Sequence, residues 1–222
     1  MQDLGSTKAQ ILLTAEQLIA DRGVDGVSLR QIGAAAGAAN NSAVQYHFGT
    51  KDGLVEAIFT HRLPRLHRRR TMLLADRRAG DLRGWVECQV TAVMEQSEEP
   101  GSRYLGFVAA LRQDDRRDVF ERIPAELRAS TRAFHDRLAS LLPHLPERLR
   151  EHRVAHAMVL VVRAGADREL GHAHGRAMLP FTVEVADLVD GIVGFLRAPA
   201  SPDALAVFDG NGLPPEIWPD LL

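Results

Sequence analysis

The side chains best placed to do chemistry in this sequence are hydrogen-bonding groups rather than nucleophiles. They gather between Gly37 and Lys51, in the run Gly-Ala-Ala-Asn-Asn-Ser-Ala-Val-Gln-Tyr-His-Phe-Gly-Thr-Lys. Gly37 ends one short helical pattern, a few residues turn the chain, and a second short helix carries amides, hydroxyls, a phenol and an imidazole. Val44 and Phe48 stand four apart and share a face that should pack inward. Rotation by about 100° per residue then puts Ser42, Gln45 and Tyr46 outside, with Asn41 and His47 flanking the buried stripe. Side-chain amides pair well with adenine edges, and hydroxyl groups reach phosphate oxygens. The spacing predicts a helix-turn-helix with a polar, uncharged outer face. In an ordinary helical pair, Asn40 or Asn41 would serve as an N-cap, and capping is expected of one of the two.

A second set of spacings suits metal ligands. His152 and His156 are four apart, Glu169 and His172 three apart, and His172 and His174 flank Ala173. Helical di-iron sites need two Glu-x-x-His motifs, and only one is present. A helical metal-binding sensor or metalloenzyme using His152, His156, Glu169 and His172 is therefore the alternative reading, and the leading one expects neither metal nor cofactor. Nucleophile elbows, phosphate-binding glycine loops and paired redox cysteines are missing, so no enzyme is expected. The single cysteine, Cys88, excludes an intrachain disulfide and suits a reducing compartment.

The elements that must position these groups are helices. Aromatic residues are sparse, and apolar residues recur at spacings of three and four, favouring an all-α chain long enough to bury a real core. No apolar run reaches bilayer length and no signal pattern opens the chain, which predicts a cytoplasmic location without membrane contact. A net charge of -2 argues against binding nucleic acid by bulk electrostatics. Arg62, Arg65, Arg68, Arg69, Arg70, Arg77 and Arg78 nevertheless form a basic stretch, read as a solvated helix face.

In chain order, Ile11, Leu12, Ala15, Leu18 and Ile19 mark a first helix from Lys8 to Arg22, with Gly23 as its C-cap. Ser28-Leu29-Arg30-Gln31 reads as a capping box opening a second helix, whose alanines let a partner approach closely. Thr50 should cap a longer helix with Asp52 in its first turn, and Pro64 predicts a kink or an end near Leu63 with helical character resuming towards Leu74. Helices are expected around Leu82–Val93, Tyr104–Leu111 and Ile123–Leu142. Two long ones should follow, the first from Pro146 to about Leu170 and the second from Pro180 to Arg197, separated by a loop from Gly171 to Leu179. From Ala198 the tail should be extended, with Trp218 pinning its end.

The first helix, the capped second helix, Tyr46-His47-Phe48 and the segment Phe48 to Leu54 (Phe-Gly-Thr-Lys-Asp-Gly-Leu) together resemble the DNA-binding domain of TetR-type transcriptional regulators. The resemblance covers roughly residues 8 to 60. One departure is that Asn40 and Asn41 stand where the family usually has one residue.

The resemblance implies an all-α protein with an N-terminal three-helix helix-turn-helix DNA-binding domain over residues 1–50. A helical effector-binding and dimerisation domain would occupy 51–197, and an extended tail 198–222. It implies that Tyr46, His47 and Lys51 hold phosphates, with Gln45, Ser42 and one of Asn40 and Asn41 near bases; Arg30 and Thr50 complete the set. It places an effector among Trp85, Met94, Tyr104, Phe107, Arg112, Phe134 and His135, where Arg112 or His135 could orient a polar ligand. The cleanest apolar stripe, Val185, Leu188, Val189, Ile192 and Leu196 with Met158 and Val162 on the preceding helix, can be buried inside the chain or against a copy. The resemblance favours the copy. The implied function is a transcriptional regulator, most simply a repressor, that binds double-stranded DNA at a palindromic operator as a homodimer and is released by a small-molecule effector.

Overall fold

The computed structural model describes residues 6–37, 43–78 and 80–208, and no strand occurs among them. Helix α1 runs over Ser6–Arg22, α2 over Leu29–Ala35, α3 over Ala43–Phe48 and α4 over Lys51–Leu74. They are followed by α5 (Leu82–Met94), a 3-10 turn (Glu95–Glu98), α6 (Tyr104–Gln113) and α7 (Arg117–Arg122). The remainder is α8 (Ala125–Ser140), α9 (Glu147–Ala173), α10 (Phe181–Arg197) and α11 (Pro202–Phe208).

Capping chemistry sets the early boundaries. Gly23 and Gly37 take φ of 71° and 66°, the left-handed conformation that ends α1 and the turn after α2. Ser28 Oγ accepts from the Gln31 N–H at 3.2 Å while Gln31 Oε1 accepts from the Ser28 N–H at 2.8 Å, a complete capping box. Thr50 Oγ1 accepts from the Gly53 N–H at 3.0 Å and so caps α4. Pro64 does not end this helix, which is assigned continuously to Leu74. The Thr60 carbonyl, deprived of its N–H partner by the proline ring, belongs to an exposed residue that water can serve.

Two compact units divide the chain. The first takes residues 1–65, 95–124 and 162–178. In it α1 packs on α6, with Ile11, Ala15 and Ile19 fully buried. Phe59 sits amid an aromatic cluster, its ring centroid 5.5 Å from Phe107 and 5.8 Å from Phe120. The second unit takes residues 66–94, 125–161 and 179–222. There α5 packs on α10 and α8, and the Trp85 ring stacks on Phe134 at 5.4 Å.

Three boundaries differ from the sequence reading. The helix expected from Ile123 to Leu142 is α8, which begins only at Ala125 because the residue before Pro124 disfavours helical backbone, and a short helix not expected from the sequence, α7, precedes it. Helix α9 reaches Ala173, inside the expected loop. The tail is not extended throughout: Ser201 Oγ accepts from the Ala204 N–H at 3.2 Å and starts α11. Trp218 lies outside the described residues.

Candidate nucleic-acid interface

Helix α3 is held by a close approach to α2. Val44 is fully buried, and a Cβ added to Gly33 of α2 would lie 3.1 Å from Val44 Cγ2. The small residues of α2 thus set the distance between the two helices. Phe48, the second inward residue, is half-buried with the Lys8 ammonium 5.7 Å from its ring centroid. Gln45, Tyr46 and His47 face outward, and Tyr46 is 86% exposed. A phenol standing that far into water has no packing role to explain it. Tyr46 and His47 meet edge to face at 5.3 Å. Arg30 and Thr50 are exposed as well. Asn40, Asn41 and Ser42, the other expected base or phosphate contacts, lie outside the described residues.

Lys51 sits differently from a free phosphate ligand. Its Nζ donates to the Val24 carbonyl at 2.9 Å, and the Val24 N–H donates to Asp114 Oδ2 at 2.9 Å. The connector between α1 and α2 is therefore fastened on both sides of one residue. Asp52, beside Lys51, serves the α4 N-terminus and also accepts from Arg116 at 3.0 Å.

The basic stretch is not one solvated face. Arg65, Arg68, Arg77 and Arg78 are exposed, but Arg62 and Arg70 are buried, in register with Leu66 between them. Arg62 Nε and Nη2 donate to Glu16 at 2.7 and 2.6 Å, and Nη1 donates to Glu99. Burial works against the Arg62 charge, yet the hydrogen bonds and charges of Glu16 and Glu99 overcome it and hold the guanidinium above its usual range. The buried pair was not visible as such in the sequence; the only signal was the spacing of Arg62, Leu66 and Arg70.

The metal alternative loses its geometry. Glu169 accepts from the Leu105 and Gly106 N–H groups at 3.0 and 2.8 Å and from Ser102 Oγ at 3.1 Å, so it closes the N-terminus of α6. His172 instead pairs with Glu98 at 3.0 Å, and the His156 ring is bonded to the His152 carbonyl at 2.9 Å. Among the described residues no three His, Cys, Asp or Glu side chains come together to hold an ion. Cys88 donates to the Leu73 carbonyl at 3.2 Å, and burial pushes its thiol up, away from thiolate chemistry.

The expected effector residues fall in both units. Tyr104, Phe107 and Arg112 belong to the first; Trp85, Met94, Phe134 and His135 belong to the second. Within the second, Trp85, Phe134 and His135 form one aromatic chain. The expected interface stripe is already occupied: Val185, Val189, Ile192 and Leu196 of α10 are buried within the single chain, where α10 packs on α5, and Leu188 is half-buried. Met158 and Val162 of α9 are buried too. Of the expected stripe, Leu188 alone keeps solvent-exposed surface in the single chain.

A short polar helix held on a capped partner, inside an all-helical chain, defines a helix-turn-helix protein. Residues 11–58 match the family of bacterial regulatory proteins, tetR family. The match spans the segment from α1 through α2 and α3 into the first turns of α4. Its fold is similar to that of the fatty acid degradation regulator FadR from Bacillus halodurans, at 16% identity and a TM-score of 0.57 over 88% of this chain and 99% of that one. It is similar to SCO4454, a TetR-family transcriptional regulator from Streptomyces coelicolor, at 18% identity and a TM-score of 0.56 over 86% and 95%. It is also similar to NalD from Pseudomonas aeruginosa, the secondary repressor of the MexAB-OprM multidrug efflux pump, at 21% identity and a TM-score of 0.53 over 87% and 96%. No curated protein matches the chain in sequence. No helix among the described residues is long and apolar enough to cross a membrane.

Proposed function

We propose that this protein is a transcriptional repressor that binds a palindromic operator as a homodimer and leaves it when a small molecule occupies the helical body. The observation that carries the reading is the outer face of α3. Gln45, Tyr46 and His47 stand in water on a helix whose opposite side, at Val44, is fully buried. Such a helix offers a carboxamide to base edges and hydroxyl and imidazole groups to phosphates. Its lack of charge makes one copy a weak binder, and two copies on half-sites about 34 to 36 Å apart double the contacts. In this reading residues 1–50 form the DNA-binding domain, 51–197 the body and 198–222 the tail.

The surface for the second copy is the outer side of α10 rather than its buried stripe. Val183 is 50% and Phe195 37% exposed there, and Gly191 and Gly194 leave open space where a Cβ would stand. Glycine inside an exposed helix costs about 1 kcal/mol relative to alanine, a cost explained if another backbone approaches closely. A copy related by two-fold symmetry brings the same face to itself.

Sequences selected from a random double-stranded pool by the purified protein should be inverted repeats. Tyr46→Ala and Gln45→Ala should each weaken binding to the selected site roughly tenfold, the loss of one hydrogen bond to a charged or base-edge group, with the helical circular dichroism unchanged. Wild-type affinity in both variants would remove α3 as the reader. Release is a population shift, so ligand and operator must weaken each other by the same factor.

A further inference from the structure

The second unit buries a cation without an anion. Arg70 of α4 is 3% exposed, and no acidic side chain among the described residues pairs with it. Its Nη1 donates to Gln89 Oε1 at 3.2 Å and its Nη2 to the Ser130 carbonyl at 3.4 Å, both neutral acceptors at the long end of the range. Its guanidinium carbon lies 4.3 Å from the centroid of the Phe134 ring. Burial pulls the guanidinium down to about 10 with no neighbouring acid to hold it up. Arg62 shows the contrast within the same helix, because its buried charge is met by two carboxylates.

The surroundings are short of acceptors. His67 is bonded to Thr131 Oγ1 at 3.0 Å, and burial, then the charge of Arg70, hold its imidazole down to about 4, so it is neutral at physiological pH. The Trp85 indole stacks on Phe134 and its Nε1–H is buried with no acceptor. Two donors against one phenylalanine ring therefore lack the negative oxygen that a buried guanidinium and a buried indole N–H ordinarily have. Met158 borders the same cluster, its sulfur 3.5 Å from Gln89 Nε2.

We propose that Arg70 is the anion-binding residue of an effector site in the second unit, and that the effector is an apolar molecule bearing a single carboxylate. The carboxylate pairs with the guanidinium and the apolar part lies along Phe134 and Trp85. The one buried cation balances one negative charge, since Arg137, 5.8 Å over the Trp85 ring, is exposed to water; a phosphate ester carrying nearly two would leave a charge buried and unpaired. This rests on the reading of the body as an effector-binding domain.

The test uses the full chain carrying Trp218→Phe, so that Trp85 is its only indole. Alkyl and aryl carboxylates are titrated beside the alcohol and phosphate ester of the same skeleton, following Trp85 fluorescence and thermal unfolding. At least one carboxylate should bind and raise the melting temperature, at least tenfold more tightly than its alcohol and phosphate counterparts. Arg70→Met should weaken that carboxylate tenfold or more and leave the alcohol unchanged. Without ligand, Arg70→Met should melt no lower than the parent, because it removes an unpaired buried charge. Trp85→Phe, read by melting alone, should weaken the carboxylate more than the alcohol.

Alcohol or phosphate bound as tightly as the carboxylate, no carboxylate bound at all, or ligand-free Arg70→Met melting several degrees lower, each overturns the assignment. A carboxylate held by Arg70 that leaves operator affinity unchanged would keep this site and remove ligand-driven release. Release by a neutral compound, indifferent to Arg70, would do the reverse.

Discussion

The Arg62 guanidinium grips the Glu16 carboxylate with two hydrogen bonds, 2.7 and 2.6 Å long, and both side chains are buried. Helices α1 and α4, on either side of the reader, are joined there by charge in a place where water cannot compete. A buried pair of this kind is strong against loss of one partner and weak against loss of both.

Glu16→Leu should therefore cost about 3 to 5 kcal/mol in urea unfolding, because Arg62 loses its bidentate partner. Adding Arg62→Leu should recover most of that loss, since Glu99 keeps its contact with Arg65 at 2.9 Å. A double variant no more stable than the single would show that the two side chains act independently.

Gly33 tests the spacing inside the reader. Gly33→Leu must push α3 away from α2, since even a Cβ comes within 3.1 Å of Val44. The expected result is a stability loss of about 2 kcal/mol and weaker operator binding. Gly33→Ala, which asks for a shift of only a few tenths of an ångström, should retain most of both.

Burial pushes the Glu169 carboxyl up to about 7, against the lowering effect of the Gly106, Leu105 and Ser102 hydrogen bonds. Unfolding releases it to an ordinary value near 4.5. Between those values the folded chain holds a proton that the unfolded chain has lost, so this group makes stability fall as pH rises through that window and level off above it. The fall is on the order of 3 kcal/mol. Glu169→Gln should flatten the difference between unfolding curves at the two ends of the window, and an unchanged slope would locate the titration in another group.

The two sides of α10 should respond differently to charge. Val183→Asp with Phe195→Asp should give a folded monomer by sedimentation. Ile192→Asp, on the face packed on α5, should unfold the unit instead. A dimer that survives the first pair of changes would move the interface elsewhere.

Much of this was legible because caps and periodicity are local. Ser28 with Gln31, and Thr50 with Gly53, mark helix starts within four residues, and Val44 declares its buried side by distance from Phe48 alone. The stripe on α10 was equally plain, but a stripe does not say what covers it; only the packing on α5 does. Arg62 and Arg70 were hidden because their neutral or acidic partners, Glu16, Gln89 and Ser130, lie far away in sequence. Pro64 does not end α4 because the proline penalty depends on whether water can reach the Thr60 carbonyl, a tertiary fact.

The fastening at Val24 bears on how such a protein can be re-engineered. A chimera that grafts the first fifty or so residues onto a foreign body would carry Val24 and leave behind Asp114, which receives its N–H. The transplanted reader would arrive with its α1–α2 connector tied on the Lys51 side alone. Swapping DNA specificity between relatives should therefore be done by exchanging the outward residues of α3, or by moving α6 with the reader.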